Sequence, residues 1–415
     1  MRFSQILSVA VTTHAATAAA AKYTPASSSL TDALAAGALS TFEDYVKVQG
    51  NYNGTCTIAN AAVRRDWDSL SSAEKKKYIA AVQCISTKPS KTPRSSCPGC
   101  RTRYDDFLAT HINQTMTIHG TGNFLAWHRY FTWAYEKALR DECGYDDYQP
   151  YWNWPKYALD PLNSPLFDGS DTSMGGNGVY EYHEPVCIPS TATPYIKVPQ
   201  GTGGGCVSSG PFANFTARLG PVSPAWSNMS TNPRPDGLGY NPRCLRRDIN
   251  AWISTGWTKD VDVDTLVTGA ADILTFQNRM QGDFAAGFVG VHDAGHMTIN
   301  GDPGGDLFAS PGDVSPHLPI PMMNQPADQD RERGRQPTFY LHHSMIDRVW
   351  WTWQNLDTPS RTFVVAGSTS MVNASAPDTT LDDLIDLGYN APAIPLRKAM
   401  STLGGAGGPF CYIYR

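Results

Sequence analysis

The chain reads as a mainly α-helical protein with long irregular loops and few short strands. Three observations predict this. Apolar residues recur at three- and four-residue steps in several separate stretches. Strand signals are few and short. Residues 160–245 are rich in Gly, Pro, Ser and Asn and carry no periodic apolar set that would build a core of their own. The 415 residues are 41% apolar, enough for a sizeable core. Residues 22–415 are therefore expected to form a single domain.

Residues 1–21 open with a basic Arg2, run through a short apolar stretch and end in small residues at Ala18–Ala21. That is the pattern of a secretory signal, so the mature protein is expected to be secreted and extracellular. Residues 60–85 then read as a helix marked by Trp67, Leu70, Tyr78, Ala81 and Val82, with Ser71 or Ser72 before Glu74 as an N-terminal signal. A second helix is expected over 102–115. Gly120 and Gly122 break the pattern and place His119 near a loop. Phe124 to Cys143 is the clearest helix, with Phe124, Trp127, Phe131, Tyr135 and Leu139 on one side. After the irregular region, helical pattern returns over 261–279, 284–299 and 339–356. Loops and a terminal Tyr412-Ile-Tyr414 follow.

The formal net charge is −5 and no basic stretch stands out, which argues against nucleic acid and against an anionic membrane as partners. Nine cysteines in an oxidising compartment should mostly pair, leaving at least one over. Cys97-Pro-Gly-Cys100 is read as a structural bridge. Five Asn-x-Ser/Thr sites, at Asn53, Asn113, Asn214, Asn228 and Asn373, fit a secreted glycoprotein.

The chemistry lies in the histidines. His111, His119 and His128 form one group; His292, His296 and one of the adjacent His342/His343 form another. Three neutral imidazoles with no thiolate nearby suit copper, zinc or iron. His292-Asp-Ala-Gly-His296 puts two rings one helical turn apart, able to share an ion. A zinc hydrolase built on that pair would need Glu after the first histidine, where Asp293 stands. Neighbours on a helix point about 100° apart, so one of His342/His343 should face a metal.

The first group's spacing, followed by Arg129-Tyr-Phe131 and by Pro150-Tyr-Trp-Asn-Trp154, resembles the type-3 copper family of tyrosinases, catechol oxidases and haemocyanins. The likeness covers most of residues 40–415 and is closest to the short secreted fungal polyphenol oxidases. It implies an antiparallel four-helix bundle holding two copper ions. The first would be bound by His111, His119 and His128, the second by His292, His296 and, by the family pattern, His343. It implies oxidation of o-diphenols to o-quinones by O2, on small phenolic substrates. A haemocyanin-like O2 carrier is the rival reading. Asp347, one turn after His343, would orient an imidazole or an arginine. Phe124 and Phe339 would pack under the coppers. Met297 falls where relatives place a pocket-lining residue.

Three departures bear on the chemistry. Thr117 stands where some relatives carry a thioether-forming cysteine. Asp293 stands where many tyrosinases carry Asn, and no Glu lies in the ten residues before it, so ortho-hydroxylation of monophenols stays open, with Asp293 as its candidate base. The family motif Asp-Pro-x-Phe-x-x-His-His is interrupted here by 23 residues, Val314 to Gln336, between Asp313 and Pro337. Their removal restores it. Val314-Ser315 can be encoded by an intron-start sequence, Ala327-Asp328 by a branch-point-like one, and Gln336 can end in AG. The segment is read as a translated intron, with a genuine surface loop as the rival reading. The family's tyrosine motif is matched by Tyr412 and Tyr414, on which Arg64 or Arg65 would stack, and no lid domain is expected beyond it.

Overall fold

The computed structural model describes residues 24–49, 55–189, 194–222, 230–300 and 337–415. The leader, Asn53, Asn228 and the 314–336 segment lie outside the described residues. The fold is mostly helical. Among the described residues the strands form six two-stranded sheets and nothing larger.

Helix α1 spans Ser29–Gln49 and was not anticipated. Its buried stripe is Ala35, Ala38, Phe42 and Val46. The Asp260 carboxylate accepts from the backbone N–H of Leu30 and of Thr31, both at 2.9 Å, and so satisfies its first turn.

The expected helix over 60–85 is corrected in its first half. Ala62–Arg64 is a strand and Trp67–Ser69 a short 3-10 turn. Helix α2 starts only at Ser72 and runs to Ile85, closed by a Ser71/Glu74 capping box. The strand exists because Ala62–Arg64 pairs in parallel with Tyr412–Tyr414, a tertiary pairing that overrides local helical pattern. Cys56–Cys411 fastens the same junction.

Helices α3 (Arg103–Ile118) and α4 (Phe124–Cys143) follow as expected, α3 running one turn further. Gly144, at φ 67°, ends α4 in the left-handed region that glycine tolerates. The described residues between 160 and 245 form short strands and turns, and their buried apolar side chains join clusters shared with the helices. The hairpin Val186–Pro189/Pro194–Val198 places Val186, Ile188, Ile196 and Val198 in one cluster with Ile253, Ala294 and Met297.

Helix α5 spans Ala251–Trp257. The expected helix 261–279 is two, α6 (Asp260–Gly269) and α7 (Ile273–Gln281). Asp272 starts the second by accepting from Thr275 N at 2.8 Å. The expected 284–299 helix shrinks to α8, Val291–Ile299. Gly287 (φ 74°) stops a 3-10 turn, and Phe288–Val289 folds back on Gly282–Asp283. Helix α9 spans Phe339–Asn355 and is buried along its whole length. It lies in the centre, packed on α1, α4, α6 and α8.

The disulfides are Cys56–Cys411, Cys84–Cys143, Cys97–Cys100 and Cys206–Cys244, with Cys187 free. The Cys97–Cys100 bridge and the odd cysteine are as expected. No described helix is long and apolar enough to cross a membrane.

Candidate metal centre

Two helix pairs carry the histidines. His111 sits on α3, His119 at its C-terminal cap and His128 one turn into α4. All three are buried, at 0%, 2% and 2% exposure, with ring centroids 4.9–5.7 Å apart. The backbone sets the tautomers of two of them. His119 Nδ1 donates to the Thr115 carbonyl at 2.9 Å, and His128 Nδ1 donates to the Phe124 carbonyl at 2.8 Å. Each ring therefore turns an unprotonated Nε2 inward. The Nε2 atoms of His111 and His128 are buried with no hydrogen-bond partner among the described residues.

The second group comes from α8 and α9. His296 Nε2 lies 3.2 Å from His292 Nε2 and 3.0 Å from His343 Nε2. The adjacent His342 also has a ring nitrogen within 4.8 Å of those of the other three, but its Nε2 donates to the His292 carbonyl at 2.9 Å. The two groups face each other, with the His128 and His343 rings stacked at 4.5 Å and 14°.

Burial holds every one of these imidazoles below its ordinary pKa. His119 falls to about 4, where the Thr115 carbonyl and the Asp293 charge pull back against desolvation. His111, His128, His292, His296 and His343 fall further, since neighbouring rings add to the desolvation. Six neutral, desolvated rings are costly unless something binds their lone pairs. Nitrogens bound about 2.0–2.1 Å from a tetrahedral ion sit about 3.3–3.4 Å apart. The 3.0–3.2 Å spacings in the second group are close to that. Both groups thus fit a metal by donor type, orientation and spacing, and neither contains a cysteine or carboxylate.

The walls are aromatic. Phe339 lies 4.1 Å from the His343 ring, 5.8 Å from His296 and 5.6 Å from His111. Phe124 lies 4.8 Å from His292 and 5.0 Å from His128. Trp127, to which the sequence reading gave no role, packs 4.8 Å from His128 and 5.9 Å from His111. Its sequence signal was its place next to His128 on the periodic face. Trp154, from the Trp-Asn-Trp motif, lies 5.2 Å from His342.

Asp293 is 6% exposed, with Oδ1 2.9 Å from His292 Nδ1. Met297 is placed differently from the pocket-lining expectation. It is 2% exposed in the aliphatic cluster under the Val186–Val198 hairpin. One step along α8 from His296, it points to another side of the helix.

Asp347 orients arginines rather than an imidazole. It accepts from Arg129 Nε at 2.6 Å, Arg64 at 3.3 Å, Tyr412 Oη at 2.5 Å and Tyr414 Oη at 2.6 Å. Arg64 is the arginine stacked on Tyr412, its guanidinium 3.8 Å from the ring centre. Arg65 instead pairs with Glu74 and Asp147. Glu136, which sequence reasoning missed, neutralises Arg64 from α4 at 2.8 Å.

Comparison with known proteins agrees with this architecture. Residues 101–356 match the family model described as the common central domain of tyrosinase. The tyrosinase-like protein orsC of Emericella nidulans is 41% identical over 332 residues, 77% of this chain and 81% of that protein. Tyrosinase P of Aspergillus terreus is 38% identical over 85% of this chain and 91% of its own. A solved structure of a variant polyphenol oxidase from Thermothelomyces thermophila superposes with a TM-score of 0.80 at 39% identity, covering 93% of this chain and 98% of that one. With that domain match enclosing every histidine of both groups, the chain belongs to the tyrosinase family of copper-dependent phenol oxidases, whose cofactor is a type-3 pair of copper ions.

Proposed function

We propose that the protein is a secreted catechol oxidase. In this reading His111, His119 and His128 hold one copper, and His292, His296 and His343 the other. The observation that carries it is the pair of buried, mutually facing imidazole triads, with His128 and His343 stacked at 4.5 Å between them. Bound copper supplies the electron transfer and dioxygen chemistry that side chains lack. The protein supplies the rest. The Thr115 and Phe124 carbonyls fix two of the rings in the ligating tautomer. Phe124, Trp127 and Phe339 exclude water from around the rings. Phe339 offers an aromatic wall to a phenolic ring.

Asp293 orients His292 and is the nearest carboxylate to take the hydroxyl proton of a docking phenol. Because it already leans on His292, its capacity as a free base is reduced. Oxidising a catechol needs two electrons from neighbouring oxygens and no new C–O bond, so it asks less of Asp293 than hydroxylating a monophenol. Residues 1–21 as a removable leader, with four disulfides in the folded chain, support export to an oxidising compartment. We also propose that codons 314–336 are a retained intron; cDNA that keeps them would end that reading.

The test is oxygen uptake and quinone absorbance of purified, copper-loaded protein on a catechol and its matching monophenol. Expected are two coppers per chain, rapid catechol turnover and a slower or lagging monophenol reaction. Asp293→Asn should lower turnover about 10–100-fold. Reversible O2 binding without quinone would favour a carrier instead, and one zinc with no copper would favour a hydrolase.

A further inference from the structure

We propose that His342 is a positioning residue for the second triad: its ring is the spacer between α8 and α9, seated on Gly295 and tied to the backbone of His292. The inference rests on the reading that His292, His296 and His343 hold the second copper.

The His342 side chain is fully buried, at 0% exposure, and a ring nitrogen lies within 4.8 Å of those of the triad, but its Nε2–H is committed to a backbone carbonyl. Its Nε2–H donates to the His292 carbonyl at 2.9 Å, which fixes the neutral tautomer, and its Nδ1 has no hydrogen-bond partner among the described residues. The ring stacks on His292 at 5.8 Å and 14° and meets His296 edge-on at 4.2 Å. Trp154 stands 5.2 Å from it. On α8 the residue opposite is Gly295. A Cβ there would lie 2.1 Å from His342 Cε1 and 2.6 Å from Nδ1, closer than atoms approach. The glycine between the two α8 ligands is therefore the seat of this ring. Support for a metal ligand commonly comes from a group bonded to the ligand's own ring. Here it acts on the ligand's main chain and so on the distance between two ligand-bearing helices.

A set of variants tests this by copper titration against a competing chelator, with far-UV circular dichroism as the check on folding. His342→Phe keeps a ring but removes the donor. It should weaken one of the two coppers about 10–100-fold and leave the other unchanged. His342→Gln, which restores an N–H at the same bond count from the backbone, should recover most of that loss. Gly295→Ala should reproduce the defect in the native background and add nothing once His342 is Ala, the non-additivity expected of two groups competing for one space. His343→Phe should abolish one copper. Native affinity for both coppers in His342→Phe, or a harmless Gly295→Ala, would overturn the inference while leaving the triad intact. Loss of a copper in His342→Phe with retention of both in His343→Phe would make His342 itself the ligand and overturn the triad assignment as well.

Discussion

Asp347→Ala offers the sharpest test of how the two copper-bearing helices are locked together. The Asp347 side chain is 2% exposed, and the guanidiniums of Arg129 and Arg64 beside it are at 0%. Desolvation pushes the carboxyl up, but Arg129, Arg64 and the two tyrosine hydroxyls outweigh it and hold it below the ordinary carboxylate range. The cluster is charge-balanced, with Asp347 and Glu136 against Arg64 and Arg129. After truncation Arg64 keeps Glu136 at 2.8 Å, whereas Arg129 keeps only neutral partners, the Met400 carbonyl at 2.7 Å and Gln354 Oε1 at 2.9 Å. Breaking a buried pair from one side costs about 3–5 kcal/mol. An unfolding entropy of about 2.1 cal/mol/K per residue gives roughly 0.9 kcal/mol/K for this chain, so a loss of about 4 kcal/mol lowers Tm by about 5 °C. The assay is thermal and urea unfolding of copper-free protein. Asp347→Asn, which keeps one acceptor oxygen, should lose about half as much. The sign with pH follows from the depressed folded pKa: the contribution is complete above the unfolded carboxylate range and is lost as pH falls through the folded value. The variants should therefore show a flatter acid limb than the native protein. A loss under about 1 kcal/mol in Asp347→Ala, or an unchanged acid limb, would refute the reasoning.

Three further outcomes follow from the same geometry. Gly290→Ala places a Cβ 2.0 Å from the Met280 carbonyl oxygen, so α8 must move at its first turn; copper content by elemental analysis should fall. Replacing Cys56 and Cys411 together by Ser opens a link between residues 355 apart and should cost about 2–4 kcal/mol, read from urea midpoints. Arg65 and the Ser71 cap hold the Glu74 carboxylate down at about 2; its support of α2 is complete above the ordinary carboxylate range and lost on acidification towards that value. Glu74→Gln should therefore remove part of the acid-dependent loss of helicity seen by circular dichroism.

What was legible in the chain is what is local. Helices α4 and α9 stand where their apolar periodicity put them, because each carries an unbroken stripe and no competing turn chemistry. The three over-extended helices failed for identifiable reasons: a strand pairing with residues some 350 positions away at Arg64, an Asp cap at Asp272, and a left-handed glycine at Gly287. Helix α1 was missed although Ala35, Ala38, Phe42 and Val46 have helical spacing. Alanine is a weak marker of a buried face when alanines also fill the positions between. Disulfide pairing was beyond reach, since Cys56 finds Cys411 only through the fold.

The site shows the same division at the scale of single residues. The spacing of the first three histidines and the four-residue step of His292 and His296 are local, and the fold brings them together as two groups. Choosing between His342 and His343 is not local. The proposed choice of His343 rests on the His292 carbonyl, 50 residues upstream, which accepts from the His342 ring. Met297 is the instructive failure, because the argument that separated those two histidines applies to it unchanged. A helix turns about 100° per residue, so the neighbour of an inward-facing ligand faces elsewhere. His296 looks inward; Met297 therefore looks out of the triad, and together with Ala294, three positions back, it meets the aliphatic hairpin. On α8 helical rotation leaves Met297 to anchor the helix from behind; on α9 it only sets the two adjacent histidines apart, and the bond to the His292 carbonyl marks His342 as the one that would brace the triad.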